Sequence, residues 1–304
     1  MKVMIAEQAS EAEYKPRSFA HIFNFGYIRE KPGANQAKCV MELGRYSMPE
    51  ADVKAKYAAL ISSDWNECLA PCGPFDPIAF AYPELEADLS GIFRLYTGNQ
   101  ISLSEATRRI GGLLPKPITE KQMDEYLKAA FTTYKGVTDL IQWCVKKDIL
   151  FMINTTGMQG YFQRAITKGL LLQGIVASAN PMISYPGHEM EIYEVREIED
   201  KVKNAETVMR LYGIPPDRVI LIGDSGGDGP HFEWGASVGA YLVGSMTKPS
   251  LESYCRKKGI KINTRFGVTY PEGEKRDLGR EMEVDFMGLV SVIGEALAKT
   301  QERK

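Results

Sequence analysis

The sequence is poor in cysteine, has no excess of basic residues and contains no long apolar run. Its 304 residues include 37 Lys and Arg against 39 Asp and Glu, which gives a formal net charge of -2. Proteins bind nucleic acid through clustered positive charge, so we expect no nucleic-acid partner. The five cysteines are scattered and odd in number, which favours reduced thiols over a disulfide framework.

The amino-terminal stretch is too charged for a secretory leader, and no apolar run reaches the length of a membrane span. We therefore expect a cytoplasmic protein without a membrane segment. Cys68 and Cys72 form the only close cysteine pair, and neither a second pair nor a nearby histidine completes a zinc site. The composition leaves self-association into a homo-oligomer open.

From residue 132 onward, short apolar runs alternate with amphipathic helical patterns. Runs such as 149–153 (ILFMI) and 219–222 (VILI) are typical of strands buried on both faces of a sheet. The alternation predicts an α/β fold with a doubly wound, Rossmann-like parallel sheet, in which ligands bind at the carboxyl ends of the strands. Further strands are predicted over 174–178 and 240–243, and helices over 136–147, 160–168, 201–212 and 288–299.

The segment 29–131 breaks this rhythm and is predicted to be mostly helical. An insertion of this kind, placed after a first strand, would lie over the strand ends as a cap. Its predicted helices cover 51–62, 104–113 and 119–131. The expected organisation is an arm over 1–17, a core over 18–28 and 132–304, and a helical cap over 29–131.

Two carboxylates follow the apolar run at 219–222 within the glycine-rich turn GDSGGDG. Asp224 comes directly after the run, and Asp228 lies four residues later. Neighbouring carboxylates can bind a divalent cation, and the glycines allow a ligand to approach the backbone closely. The alternative is that both aspartates only cap the next helix, but their spacing favours a metal site.

Two hydroxyl groups follow the run at 149–153. Thr155 and Thr156 precede Gly157 at a point where a hydroxyl and free backbone N–H groups can bind a phosphate oxygen, or where a hydroxyl can cap a helix. Lys201 and Lys203 lie near the start of the helix predicted over 201–212, where lysines are usually solvated.

In this order, the hydroxyl, the lysine and the GD-x-x-x-D turn resemble the haloacid dehalogenase superfamily. The resemblance implies that Asp224 and Asp228 bind Mg²⁺ and that Lys201 neutralises the charge of nucleophile and phosphate, with Lys203 as the alternative. It also implies a phosphatase-type hydrolase acting on a small phosphorylated or anionic molecule, with Thr156 or Thr155 binding a phosphate oxygen.

Gly157, Lys203 and His231 are further candidates for substrate contacts. His231 follows the GDSGGDGP segment and could touch a ligand, although packing against Trp234 also explains it.

The first motif of that superfamily is D-x-D-G-T after an apolar strand, where the first aspartate attacks phosphorus and the second acts as acid and base. We assign the strand to 19–28 (FAHIFNFGYI). The closest alignment places Asn24 at the position of the nucleophile, whereas an ungapped alignment places Phe23 and Phe25 at the two positions, and neither restores an aspartate. A neutral amide is a poor nucleophile. The sequence therefore predicts a metal site that lacks its nucleophile.

Two hypotheses follow from this contrast. The first is an active Mg²⁺-dependent phosphohydrolase in which another acid replaces Asn24; Asp64, Glu67 and Asp76 lie in the predicted cap, but their spacing favours none of them. The second is a catalytically silent protein that binds a metal, phosphate or small anion. A dehalogenase tolerates loss of the second acid but needs the first, so Asn24 argues against it. A carboxylate facing Asp224 would support catalysis.

Overall fold

A seven-stranded parallel sheet forms the centre of the protein. The computed structural model describes residues 57–97, 100–186 and 192–301. The strands are β1 (Ala59–Ser63), β2 (Ile149–Met158), β3 (Val176–Asn180), β4 (Ile192–Glu194), β5 (Val219–Gly223), β6 (Tyr241–Thr247) and β7 (Thr264–Thr269). They lie in the order β4-β3-β2-β1-β5-β6-β7, and every neighbouring pair is parallel.

The strand order reverses between β1 and β5. From β1 the chain builds outward through β2, β3 and β4, and it then returns to add β5, β6 and β7 on the other side. Parallel sheets of this kind carry a crevice at the carboxyl ends of the strands where the order reverses. The crevice between β1 and β5 is therefore the place where a ligand site is expected.

Helices flank the sheet and bury both of its faces. Along β5, Ile220 and Ile222 belong to one hydrophobic core, whereas Val219 and Leu221 belong to the other. Successive strand residues point to opposite faces, so this alternation shows that the sheet is covered on both sides. The helices are α1 (Asp76–Ala81), α2 (Glu86–Thr97), α3 (Leu103–Leu113), α4 (Glu120–Ala130), α5 (Val137–Lys146), α6 (Gln159–Thr167), α7 (Asp200–Tyr212), α8 (Gly229–Val238), α9 (Pro249–Lys258), α10 (Leu278–Met282) and α11 (Leu289–Gln301).

The doubly wound α/β fold predicted from the sequence is confirmed. The predicted strands correspond to β2, β3, β5 and β6, and the predicted helices after residue 132 correspond to α5, α6, α7 and α11. Helix α4 begins after a capping box in which Thr119 and Gln122 bind each other's backbone N–H groups. None of the helices in the described ranges is long and apolar enough to cross a membrane.

The helix predicted over 51–62 is wrong from residue 57, the first described residue, and the chain forms β1 from Ala59. All five residues of Ala59–Ser63 are buried, and β1 pairs with β2 on one side and with β5 on the other. The alanines favour a helix in isolation, but pairing between two strands overrides that preference. The cap expected over 29–131 therefore overlaps a central strand, and its described part after β1 contains α1, α2, α3 and α4.

Candidate active site

The carboxyl ends of β1 and β5 bring three buried carboxylates together. Asp64 follows β1 directly, Asp224 follows β5, and Asp228 lies in the turn after Asp224. One carboxylate oxygen from each of the three lies within 4.8 Å of the others. The cluster forms because parallel strands end at the same edge of the sheet, so residues far apart in the sequence meet there.

Asp228 is fully engaged by neighbouring protein groups. Its Oδ1 lies 2.7 Å from the Lys201 Nζ, and its Oδ2 accepts hydrogen bonds from the backbone N–H groups of Asp224 at 3.0 Å and Ser225 at 3.3 Å. Burial would raise the pKa of Asp228, but the charge of Lys201 and these hydrogen bonds lower it overall. Asp228 therefore holds the turn and the lysine in place.

Lys201 joins the two sides of the cluster. Its buried ammonium lies 2.7 Å from Asp228 Oδ1 and 3.3 Å from Asp64 Oδ1. Burial alone would lower the pKa of Lys201, but the charges of Asp228 and Asp64 raise it overall, so the lysine carries a positive charge. The alternative candidate, Lys203, is exposed and pairs with Asp200 at 2.7 Å. Of the two lysines, Lys201 is therefore the one that contacts the aspartate cluster.

Asp64 and Asp224 carry buried oxygens that lie near lysine ammonium groups, with Lys201 Nζ 3.3 Å from Asp64 Oδ1 and Lys248 Nζ 2.6 Å from Asp224 Oδ2. Asp64 Oδ1 and both carboxylate oxygens of Asp224 are buried and accept no well-formed hydrogen bond within the described residues. Burial raises the pKa of both carboxyl groups, although nearby lysines oppose the rise. Buried carboxylates without hydrogen-bond partners need a cation, and oxygen donors of this type suit Mg²⁺. These residues therefore fit a divalent metal.

Lys248 directly follows β6 and contacts the cluster through Asp224. Its ammonium lies 2.6 Å from Asp224 Oδ2 and also contacts Glu67, whose other oxygen lies 2.8 Å from Arg276 Nη1. The Lys248 backbone N–H donates to the Asp224 carbonyl at 2.7 Å. Glu67 has a backbone φ of 58°, a left-handed conformation that is uncommon for a residue other than glycine. Its two ion pairs hold it there.

Arg276 connects the pair formed by Lys248 and Glu67 to buried residues. Its guanidinium donates to both oxygens of the buried Glu281 at 2.7 to 2.9 Å, to the Pro71 carbonyl at 3.1 Å and to the Tyr134 hydroxyl at 2.9 Å. Tyr270 donates to the same carboxylate at 2.9 Å. Since the Tyr134 hydroxyl also donates to Glu281, that carboxylate is held by three side chains, which keep Arg276 and its partner Glu67 in place beside the cavity.

Asn66 lies two residues after Asp64, and its amide is bound on both sides. Its Oδ1 accepts a hydrogen bond from Thr155 Oγ1 at 3.1 Å, and its Nδ2 donates to the Cys72 carbonyl at 3.3 Å. Gly157 allows this contact, because a Cβ at that position would lie 2.6 Å from Asn66 Oδ1. The loop after β1 thus carries a carboxylate and then a fixed amide.

A cavity of about 490 Å³ opens above the carboxylates. Asp64, Thr156, Lys201 and Asp224 form its floor, and residues of α2 contribute to its wall. Other lining residues include Asn66, Glu67, Phe93, Tyr96, Lys248, Tyr270, Glu274 and Arg276. The cavity is large enough for a small organic ligand.

The structure separates the remaining predicted site residues. Thr156 lines the cavity, whereas Thr155 is buried behind it and orients Asn66. Gly157 packs against Asn66 and is not among the residues lining the cavity. Asn24 and the strand assigned to 19–28 lie outside the described residues. Within the described residues, Asp64 is the carboxylate that lies near Asp224 at the end of a central strand.

His231 is buried and is not among the residues that line the cavity. The ring stacks on Trp234 with a centroid distance of 5.7 Å, and Nε2 lies 3.5 Å from Ser62 Oγ on β1. Burial lowers the pKa of His231 to about 3, so the ring is neutral. The histidine packs behind the strand, as the sequence alternative proposed.

Sequence reasoning missed the importance of Asp64, Lys248 and Arg276. The signal for Asp64 was an aspartate placed directly after the apolar residues of ALISS, but the two serines obscured the strand. Lys248 and Arg276 sit in loops whose position only the folded sheet fixes. Among the described residues, the cluster that could hold a metal consists of the three aspartates and includes no cysteine.

Several solved structures of known proteins have a fold similar to that of this chain. No protein-family model and no curated protein matches the sequence. Among solved structures, a phosphoserine phosphatase holding an analogue of a phospho-aspartyl intermediate is 16% identical, with a TM-score of 0.55 over 78% of this chain and 99% of that chain. Cytosolic 5′-nucleotidase IIIB bound to cytidine is 12% identical, with a TM-score of 0.51 over 81% of this chain and 87% of that chain.

A haloacid dehalogenase (HAD) family hydrolase from Salmonella enterica serovar Typhi is 15% identical, with a TM-score of 0.52 over 69% of this chain and 68% of that chain. At such low identities the likeness concerns the fold. The seven-stranded parallel sheet with its flanking helices agrees with it. The chain has the fold of the haloacid dehalogenase superfamily.

Proposed function

We propose that the protein is a Mg²⁺-dependent phosphohydrolase that transfers a phosphoryl group first to Asp64 and then to water. The observation that carries the proposal is the position of Asp64, whose carboxylate lies at the end of a central strand beside Lys201 and within 4.8 Å of Asp224 and Asp228. A carboxylate in this setting can act as a nucleophile, because a lysine offsets the charge that would repel a phosphate.

The proposed reaction has two steps. An oxygen of Asp64 attacks phosphorus, a new P–O bond forms, and the bond to the leaving group breaks with its electron pair going to the leaving oxygen. A water molecule then attacks the phosphoryl group, the bond to Asp64 breaks, and inorganic phosphate leaves. Lys201 stabilises the negative charge in both steps, and Thr156 is placed to bind a phosphate oxygen. The phospho-aspartyl intermediate analogue in the phosphoserine phosphatase structure supports this route.

Asp64 and Asp224 would hold the metal, because Asp64 Oδ1 and both oxygens of Asp224 are buried and accept no well-formed hydrogen bond within the described residues. A bound Mg²⁺ supplies positive charge that stabilises the transferring phosphoryl group. Asp228 acts on this pair indirectly, because it fixes the turn of Asp224 and the ammonium of Lys201. The proposed metal site therefore differs from the sequence prediction in its pair of ligands.

The proposed ligand is a small phosphorylated molecule, enclosed beneath α2 in a cavity of about 490 Å³. The helices α1 to α4 would act as the cap, since Phe93, Tyr96 and Thr97 of α2 line the same cavity as Asp64. Aromatic rings opposite the carboxylates suit the non-phosphate part of a substrate. The composition supports a cytoplasmic location.

The test is phosphate release from a panel of phosphate esters, anhydrides and acyl phosphates, with and without Mg²⁺. The purified protein should release phosphate with Mg²⁺, and Asp64→Asn should lose at least about a thousandfold in turnover because the amide cannot form the intermediate. Asp139→Asn, on the exposed face of α5, is the matched control and should retain wild-type rates. Turnover that survives Asp64→Asn would contradict the proposal.

A second candidate function is ligand binding without turnover. Asn66 favours it, because its amide stands where the superfamily resemblance implies an acid and base. Calorimetry with Mg²⁺ and inorganic phosphate separates the two functions: tight binding without release of phosphate from any compound would favour a silent protein.

A further inference from the structure

The first turn of α7 carries Lys201, whose buried side chain extends to the aspartate cluster. The ammonium lies 2.7 Å from Asp228 Oδ1 but 3.3 Å from Asp64 Oδ1. Because the contact with Asp228 is the shorter one, a small displacement of α7 would weaken the contact with Asp64 first. The position of this first turn therefore decides how closely the ammonium approaches the proposed nucleophile.

The start of α7 lacks the side-chain cap that fixes other helices of the protein. Glu199, the residue before α7, makes no capping hydrogen bond with its side chain to the described residues. At the starts of α3 and α4, by contrast, Ser102 and Thr119 accept hydrogen bonds from backbone N–H groups of the first turn. The position of the first turn of α7 therefore depends on contacts from neighbouring elements.

Asn154, on β2, makes such a contact with the first turn of α7. Its side chain is buried, and its Nδ2 donates to the Lys201 backbone carbonyl at 2.8 Å and to Ser62 Oγ at 3.1 Å. Ser62 lies on β1, two residues before Asp64. One amide group thus joins the backbone of the lysine to the strand that the proposed nucleophile follows.

The orientation of this amide follows from the chemistry of its partners. A backbone carbonyl only accepts hydrogen bonds, so Asn154 must turn its NH₂ group toward Lys201. Its Oδ1 is then buried and accepts no well-formed hydrogen bond from the described residues. An unpaired buried acceptor lowers stability. An asparagine in this setting is poorly suited to a purely structural role, and its bonded end faces Lys201.

We infer that Asn154 is a positioning residue, which holds the Lys201 ammonium against the phosphoryl group during its transfer to Asp64. The inference rests on the proposed function. A fixed positive charge lowers the barrier most when it lies where negative charge develops, and small displacements weaken that effect. Without the amide, Lys201 would keep its shorter contact with Asp228 and move away from Asp64.

Asn204 provides a matched control on the same helix. Its Nδ2 also donates to a serine hydroxyl and to a backbone carbonyl, those of Ser178 and Glu194, each at 2.8 Å. This bridge ties α7 to β3 and β4 rather than to the backbone of Lys201. Asn154→Leu and Asn204→Leu therefore remove the same kind of bridge from α7, and only the first removes the one at the lysine.

The first experiment measures kcat and KM for p-nitrophenyl phosphate with Mg²⁺ present. Asn154→Leu should lower kcat by about tenfold or more and change KM by less than about threefold, because Lys201 acts on the transferring group. Asn204→Leu should keep both constants within about twofold of the wild type. A wild-type kcat in folded Asn154→Leu, or an equal loss in Asn204→Leu, would overturn the inference and leave the proposed function intact.

Binding of orthovanadate is a readout that requires no turnover. Vanadate adopts the five-coordinate geometry of a transferring phosphoryl group, whereas inorganic phosphate stays tetrahedral. In calorimetry with Mg²⁺, Asn154→Leu should weaken vanadate binding by about tenfold or more and phosphate binding by less than about threefold. A purely structural residue would weaken both equally, and that result would overturn the inference.

The calorimetry also separates the inference from the proposed function. A wild-type protein that releases phosphate from no compound would overturn the proposed function, and the comparison of vanadate with phosphate would then decide the inference. A wild-type protein that binds neither anion would overturn both.

Asn154→Ser is the second variant at this position. A serine hydroxyl ends one atom short of the amide nitrogen, so the bond to the Lys201 carbonyl is lost while the side chain stays polar. Asn154→Ser should show the same loss of kcat, and urea unfolding establishes that each variant is folded at the assay temperature. If neither variant folds, Asn154 supports the fold as a whole and the inference is overturned.

Discussion

The Nζ of Lys248 lies 2.6 Å from Asp224 Oδ2, so a protein cation contacts the carboxylate that is proposed to bind the metal. Like charges in this space repel each other, and Lys248 must give way when a divalent cation binds. Lys248→Met should therefore tighten Mg²⁺ binding by about tenfold, which corresponds to about 1.4 kcal/mol. Isothermal titration calorimetry measures the change directly.

Lys203→Met is the matched control for that measurement. Lys203 is an exposed lysine paired with Asp200, away from the cavity, so its loss should not change Mg²⁺ affinity. Equal or weaker Mg²⁺ binding in Lys248→Met would show that the lysine does not compete with the metal.

Replacing Lys201 should destabilise the protein strongly. In Lys201→Met, Asp228 and Asp64 lose the ammonium that lies 2.7 and 3.3 Å away, and two buried carboxylates face each other without it. Removing one partner from a buried ion pair costs about 3 to 5 kcal/mol. Urea unfolding in metal-free buffer should show a loss of this size, whereas Lys203→Met should change the free energy of unfolding by about 0.5 kcal/mol or less.

The start of α8 should tolerate no side chain at Gly229. A Cβ at this position would lie 2.6 Å from two carbons of the Tyr254 ring, so α9 would have to shift. Gly229→Ala should destabilise the protein by about 1 to 3 kcal/mol. Gly111, in α3, has no atom within 4 Å of the added carbon, and Gly111→Ala should stabilise by about 0.5 to 1 kcal/mol. Thermal and urea unfolding measure the stability of both variants. A Gly229→Ala protein as stable as the wild type, or a destabilised Gly111→Ala protein, would contradict the prediction.

The buried His231 should make the protein less stable as the pH falls. Its pKa is lowered to about 3 in the folded state by burial, whereas an unfolded histidine has a pKa near 6.5. Between these values the unfolded chain binds the additional proton, so protonation favours unfolding. Between pH 7 and pH 5, protonation of this histidine in the unfolded chain should lower the free energy of unfolding by about 2 kcal/mol.

The matched variant for this effect is His231→Gln, which carries no titrating group. Its free energy of unfolding should fall less than that of the wild type over the same pH range, and the difference between the two curves isolates the histidine. Parallel curves for the two proteins would mean that His231 takes up its proton in the folded state.

Local pattern was enough to predict most of the sheet. Residues 149–153 and 219–222 are continuous apolar runs, and strands buried on both faces require such runs. β1 was missed because three of its five residues are alanine or serine, whose preferences do not indicate a strand. Its place between β2 and β5 comes from pairing with segments far along the chain, which local sequence does not encode.

Some residues of the candidate site were also predictable from local motifs, whereas others were not. Asp224, Asp228, Thr156 and Lys201 lie in motifs that a single sequence reveals, and the structure places them together. Lys203 could not be separated from Lys201 because the helix register was unknown. Because the segment of β1 was predicted to be helical, Asp64 was not recognised as a residue that follows a strand. The position of the nucleophile was therefore assigned to Asn24, which lies outside the described residues.

The position of β5 beside β1 also bears on protein synthesis. A nascent chain that has emerged only as far as β4 already carries Asp64, but it has neither Lys201 nor Asp224 to complete the cluster. A metal or phosphate in the cell cannot assist folding at that stage, because ligands stabilise only states that bind them. A fragment truncated before β5 would lack Asp224 and Asp228, so a ligand that needs the complete cluster would not stabilise it.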